Sequence, residues 1–269
     1  MKFDLHTHHF RCGHADGNIE DYIIAGIDAG LQVIGISDHS PYFYHNEDQP
    51  FPGVAMARSD FANYVKEVLR LKEKYSGDIE VLLGMESDFY PEHAEVYRNA
   101  FKGIPFDYII GSVHKLGGVS IFNRKRWSKL DPSLHIGEKN NYYDLIKQSA
   151  RSGMFNVLGH IDAMKGYYPA FSDIPAHDAI DDALKTIAEC NVSIEINTSG
   201  STKDVGGWYP SDDILERALH FGVEVTFGSD AHVPSRVGDE LELVSERLKE
   251  IGFKHWVFYR NRVQVNVPL

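Results

Sequence analysis

The sequence predicts an α/β fold built on parallel strands, in a sheet or a barrel. Short runs rich in Val, Ile and Phe alternate with longer segments of helical period, the pattern of strand–helix repeats. The 269 residues contain no internal repeat and no linker rich in Gly, Ser or Pro, so residues 1–269 are expected to form a single barrel-sized domain. Most of the strand runs are followed at once by His, Asp or Glu, which a parallel barrel would collect on one rim.

The runs are residues 2–5 (KFDL), 33–37 (VIGIS), 79–83 (IEVLL), 106–113 (FDYIIGSV), 154–158 (MFNVL), 192–196 (VSIEI) and 223–227 (VEVTF). An eighth, 255–259 (HWVFY), lies near the end. Between the first two, Asn18 can cap a helix from Ile19, supported by Asp21, and Gly30 supplies a left-handed stop. Residues 59–75 repeat apolar side chains at helical spacing through Phe61, Tyr64, Val65, Val68, Leu69 and Leu71. Residues 178–190 do the same through Ile180, Ala183, Leu184, Ile187 and Ala188. Ser211 can cap a further helix that closes at Gly222. Residues 115–140 lack a sustained period and are basic in the middle, so a long active-site loop is expected there.

Composition excludes several classes. With 43% hydrophobic and 25% charged residues the chain is of globular type. No stretch approaches the roughly 18 apolar residues of a membrane span, and the start MKFDLHTH lacks a secretory apolar segment, so a cytoplasmic location is expected. A formal charge of −12 argues against a stable nucleic-acid complex. Two distant cysteines, Cys12 and Cys190, support neither a disulfide framework nor a thiolate zinc knuckle. Any metal must be held by nitrogen and oxygen, which suits zinc, manganese or iron.

The ionisable residues at the strand ends are His6 and His8, Asp38 and His39, Glu86, His114, His160, and Asp230 with His232. In His-Thr-His, two imidazoles project to the same side of an extended strand and can reach one ion. Singly, each of these residues has an ordinary explanation as a helix cap, a turn or a satisfied core histidine. Their agreement in position carries the inference of a metal site. His14 falls in the loop after the first run. His9 projects to the opposite side from His8, and with His45, His93, His135, His177, His220 and His255 it reads as a residue of loops and helix faces.

In chain order, HTH, HADG, SDH, GMES, GSVH, GHID, EIN and GSDAH resemble the polymerase and histidinol phosphatase (PHP) family of metal phosphoesterases. DYIIGSVH, VLGHID and IEINTSG are most similar to its histidinol-phosphatase branch. The resemblance implies a distorted (β/α)7 barrel and three divalent metal ions. Carried over residue by residue, it implies that His6 and His8 bind one ion with Glu86 and Asp230. Glu86 would bridge to a second, held by His114 and His160, and His14, His39 and His232 would hold a third. One departure is the text HFRCGHADG, where many histidinol phosphatases carry a Pro-Phe-Cys-Pro-His-like segment.

The implied chemistry is hydrolysis of a small phosphate monoester, L-histidinol phosphate in that branch. With Glu86 and Asp230 ionised and three divalent ions bound, the site would carry about +4 and attract a dianionic ester. Full occupancy would bring the chain from −12 to about −6. A hydroxide bridging the first two ions is expected to attack phosphorus, with Asp230, or a water near His232, protonating the leaving alkoxide. Asp38 can orient a ligand imidazole from behind. Substrate contacts are expected from Lys165 first, then Arg11, Lys115 and Arg124, each a few residues beyond a rim motif. Glu195 and Asn197 can be structural, ligand-supporting or substrate-facing. The rival readings are a phosphodiesterase acting on small nucleotides, a metal-dependent amidohydrolase, which usually needs a carboxylated lysine where this chain has Glu86, and a non-catalytic metal-binding barrel.

Overall fold

The computed structural model describes residues 1–269. In chain order the elements are β1 (Phe3–Asp4), α1 (Ile19–Asp28), β2 (Val33–Ile36), α2 (Phe61–Lys74), β3 (Glu80–Leu83), β4 (Glu86–Asp88), α3 (Ala94–Phe101) and β5 (Ile110–Ser112). Then come β6 (Lys115–Leu116), β7 (Val119–Ser120), α4 (His135–Arg151), β8 (Val157–Leu158), α5 (His177–Glu189) and β9 (Ser193–Asn197). The chain ends with α6 (Asp212–Phe221), β10 (Val225–Gly228), α7 (Leu241–Ile251), β11 (His255–Arg260) and β12 (Val263–Pro268).

Two parallel sheets, β1-β2-β3 and β10-β9-β8-β5-β4, make up the wall of the barrel. They join where one continuous segment leaves β2 as β3 and reaches β5 as β4, with Ile110 N–H donating to Met85 O at 2.8 Å. On the other side β1 meets β10, with Leu5 N–H donating to Phe227 O at 3.1 Å and a parallel bridge pairing Thr7 with Ala231. Counting β3 and β4 as one stave, the ring has seven, so the fold is the TIM-like α/β barrel.

The helices form for local reasons. Asn18 and Asp21 make a capping box at the start of α1, and α6 begins after Ser211 and closes at Gly222, whose φ of 73° is left-handed. Their apolar faces join one hydrophobic core that runs from Phe3 to Val267. The eighth apolar run does not enter the ring. As β11 it pairs antiparallel with β12, and this hairpin closes the end where the barrel strands begin. Trp256 packs edge-on to Phe3 at 4.9 Å, Tyr259 Oη donates to Asn156 O at 2.9 Å, and Asn261 N–H donates to Asp107 Oδ1 at 3.1 Å.

The expected 115–140 loop is shorter in the structure. Its first residues form the β6–β7 hairpin around Gly117 and Gly118, and its last belong to α4. Periodicity misses the start of α4 because a lysine occupies its buried face. Lys139 is 3% exposed and donates to the carbonyls of Phe171 at 2.8 Å and Ile174 at 2.9 Å.

Inside the barrel, Tyr108 is fully buried and donates its hydroxyl to Leu5 O. Gly35 and Gly84 face its ring so closely that a Cβ on either would overlap it. Gly35→Ala should therefore cost about 2–3 kcal/mol or more through overpacking. Gly77→Ala, where a Cβ meets nothing within 4 Å, should stay within about 0.5 kcal/mol. Urea unfolding midpoints of the two variants check this.

Candidate metal centre

All of the rim motifs leave the carboxyl ends of barrel strands, opposite the terminal hairpin. His6 and His8 follow β1, Asp38 and His39 follow β2, Glu86 opens β4, His114 follows β5, His160 follows β8, Asn197 ends β9, and Asp230 and His232 follow β10. Backbone contacts lock these ends together: His39 bridges to Glu86, and His8 N–H donates to Ala231 O at 2.9 Å. Asp4 adds a side-chain tie, accepting from His6 N–H at 3.1 Å and Ser229 N–H at 3.0 Å.

Glu86 is the centre of the arrangement. It is 1% exposed, and one or other carboxylate oxygen lies 3.5 Å from His6 Nε2, 3.6 Å from His8 Nε2, 2.7 Å from His39 Nδ1, 3.5 Å from His114 Nε2 and 3.1 Å from His160 Nε2. Asp230 Oδ1 lies 3.0 Å from His8 Nε2, and its Oδ2 accepts from Ser199 Oγ at 2.9 Å. Donor atoms gather in overlapping sets, His6–His8–Glu86, His39–Glu86–His114 and His8–His39–His232, each within 4.8 Å. Compared with the three-ion partition that the family resemblance implies, His39 stands closer to Glu86, and the sets share members.

The imidazoles are oriented from behind. His6 Nδ1 faces Glu195 Oε1 at 2.6 Å, His8 Nδ1 faces Asp38 Oδ1 at 3.2 Å, and His114 Nδ1 faces Asp88 Oδ1 at 2.6 Å. The Nδ1 atoms of His14 and His232 face carbonyls, Cys12 O at 3.3 Å and Asp230 O at 2.9 Å. Since each partner is an acceptor, Nδ1 carries a proton and Nε2 is the nitrogen turned into the site, where a metal would take it once its own proton is displaced. The Nε2 atoms of His6 and His8 are buried without a hydrogen-bond partner. Two pairs of Nε2 atoms even face one another, His14 with His232 at 3.0 Å and His114 with His160 at 3.3 Å. That is close to the edge, about 3.3–3.4 Å, of a tetrahedron of nitrogens around a zinc-sized ion. This donor set fits divalent metals.

Charge follows the same layout. Burial opposes ionisation of Glu86 and Asp230, but the surrounding histidines hold both well below the ordinary carboxylate range. Burial also opposes charge on His8 and His114, yet Asp230 with Asp38, and Asp88 with Glu86, push them up to about 9. His14 is lowered to about 4 and His232 to about 3 by burial and by neighbouring histidines. His160 and Asp230 have left-handed backbone, at φ 29° and 53°, a conformation that costs non-glycine residues of order 1 kcal/mol and clusters at functional sites. Glu195 steadies the first by accepting from His160 N–H at 3.1 Å.

Above this floor opens a cavity of about 890 Å3 whose lining includes His14, His39, Glu86, His114, His160, Asp230 and His232. Of the four cations expected to meet substrate, it is lined only by Lys115. Lys165 is buried in an ion pair with Asp162 at 2.6 Å, and Arg11 is held by Asp60 and Glu67, each at 2.6 Å. Arg124 is spent on Asp204 and stacks over Tyr167. The lining contains two other cations, Lys203 and Arg236. They come 6 and 4 residues after Asn197 and His232, the same kind of offset that singled out the others. Asp88 is a further participant that sequence reading missed, two residues beyond Glu86 on the same short strand. His9 is not a surface residue: it is 1% exposed, with Nδ1 3.1 Å from Asp38 Oδ2.

The PHP domain model matches residues 4–199. A probable histidinol-phosphatase of Deinococcus radiodurans is 30% identical over 263 residues, covering 97% of this chain and 98% of the relative. The histidinol-phosphatase of Bacillus subtilis is 27% identical, covering 92% of this chain and 99% of the relative. Among solved structures, histidinol phosphate phosphatase from Lactococcus lactis, complexed with zinc, L-histidinol and phosphate, superposes with a TM-score of 0.80 at 18% identity, covering 98% of each chain. With a rim of imidazoles and carboxylates on this barrel and a family match across most of its length, the chain belongs to the PHP family.

Proposed function

We propose that residues 1–269 act as one barrel unit, a metal-dependent cytoplasmic phosphatase that hydrolyses L-histidinol phosphate to L-histidinol and phosphate in histidine biosynthesis. The observation that carries this reading is the floor of the cavity, where Glu195, Asp38 and Asp88 orient the Nε2 atoms of His6, His8 and His114 toward Glu86 and Asp230. The names of the full-length relatives and the ligands of the Lactococcus lactis enzyme support the substrate.

In this reading His6, His8, Glu86 and Asp230 hold one ion, Glu86, His114 and His160 a second, and His14, His39 and His232 a third, of zinc, manganese or iron. Bound there, divalent ions acidify water into a nucleophile and neutralise charge on the phosphoryl oxygens. Glu195, Asp38 and Asp88 keep the imidazoles in register. Lys203 and Arg236 hold the phosphoryl group from the side of β9 and β10. His232, held neutral, offers a lone pair rather than a proton. Asp230, held ionised, accepts a proton at Oδ1 and returns it to the leaving alkoxide.

Purified protein supplied with zinc or manganese should hydrolyse L-histidinol phosphate in preference to AMP, p-nitrophenyl phosphate and a phosphate bis-ester. Turnover of the bis-ester alone would sink the reading. Glu195→Gln and Asp38→Asn should weaken metal binding by about 10–100-fold, read by competition with a chromophoric chelator. Because protons on His8 and His114 compete with metal up to about pH 9, apparent affinity should rise with pH between about 6 and 9. A flat profile in the same competition titration would count against these ligands.

A further inference from the structure

The charges lining the cavity are sorted. The carboxylates Glu86, Asp88 and Asp230 are all engaged by site histidines. The remaining charged groups of the lining, Lys115, Lys203 and Arg236, are cationic. Arg236 shares its charge with Asp239 at 2.6 Å. Lys115 and Lys203 have no carboxylate at ion-pairing distance, so the free charge of the cavity is opposite in sign to the −12 of the chain.

Lys203 and Arg236 follow β9 and β10, where the phosphoryl group is assigned above. Lys115 belongs to another part of the ring. It opens β6 directly after His114, on the side where β2, β4 and β5 end. Its Nζ lies 5.2 Å from the ring centroid of Tyr42 and 4.9 Å from that of Phe51. Aromatic faces attract and hold an ammonium without neutralising it, and a half-buried charge is less screened by water than an exposed one. At about 890 Å3 the cavity stands near the top of the roughly 300–1,000 Å3 usual for small-molecule sites. A small ester seated on the floor leaves room for a substituent that reaches Lys115.

We propose that this cavity also binds and hydrolyses phosphate monoesters whose alcohol carries a second anionic group, such as a carboxylate, and that Lys115 recognises that group. The proposal rests on the phosphomonoesterase reading of the same site, not on L-histidinol phosphate as substrate. The reaction is the same hydrolysis. The oxygen of water bonds to phosphorus, the phosphorus–oxygen bond to the alcohol breaks, and the alcohol leaves with a proton taken from that water.

The test uses the 269-residue chain with zinc or manganese and three esters of different charge: butyl phosphate, 4-carboxybutyl phosphate and L-histidinol phosphate. The readout is the ratio of kcat/KM for the carboxylated ester to that for butyl phosphate, in which a general loss of activity cancels. The wild-type ratio should exceed one. Lys115→Met should lower it by about tenfold or more, the scale of a charge-assisted hydrogen bond, and Lys115→Arg should retain most of it. Lys115→Glu should lower it further and raise the relative kcat/KM for the cationic L-histidinol phosphate. A wild-type ratio at or below one, or a ratio unchanged in Lys115→Met, overturns the proposal while the phosphatase reading stands. Failure to hydrolyse any of the three esters overturns both. Hydrolysis of the butyl esters but not of L-histidinol phosphate, with the expected ratios, supports this proposal and removes only the substrate assigned above.

Discussion

Glu86 lies at the floor of the rim cavity, 1% exposed, with five imidazoles around its two oxygens. Removing a carboxylate from water is costly unless positive charge and hydrogen-bond donors replace the lost hydration. That requirement organises the site. Histidines must converge on Glu86 and Asp230, and their outward nitrogens then need acceptors of their own, which Glu195, Asp38 and Asp88 provide. Divalent ions satisfy the same requirement more completely than protons on imidazole. A group that neutralises the floor also prepares it to receive a phosphate ester.

The barrel is built so that meeting this requirement also closes the fold. The pairing of Thr7 with Ala231 and of His39 with Glu86 places ligand-bearing segments at the two seams between the sheets. Strain is stored on the same rim, in the left-handed backbones of Asp230, beside one seam, and of His160, inside the larger sheet, and surrounding hydrogen bonds hold it there. The walls above follow looser rules. Lys115, Lys203 and Arg236 stand on a short hairpin strand, a loop and a single 3-10 turn, outside the strands of the ring.

Most of the floor was legible because its logic is positional. A His, Asp or Glu directly after an apolar run must fall on one rim of a parallel barrel, whatever the details of the run, and the motifs read in order pointed to one family. Contacts that depend on distant partners were not legible. Lys165 and Arg11 have plausible offsets from their motifs, but Asp162 neutralises the first, and Asp60 and Glu67 the second. Only the folded chain shows those partners. His9 illustrates a limit of alternation: it does turn away from His8, but in a barrel wrapped by helices both sides of a strand are buried. The start of α4 was hidden because Lys139 buries its stem and satisfies its ammonium with carbonyls, which a count of apolar positions cannot register.

The hairpin β11–β12 seals the end of the barrel away from the rim, and this gives the catalytic cycle a direction. Ester and products therefore reach and leave the floor from the rim side. In the proposed reading the phosphoryl group sits against the floor and the alcohol toward the open side, an arrangement in which the alcohol would leave first and phosphate last. Inorganic phosphate would then compete with each incoming ester for the same floor.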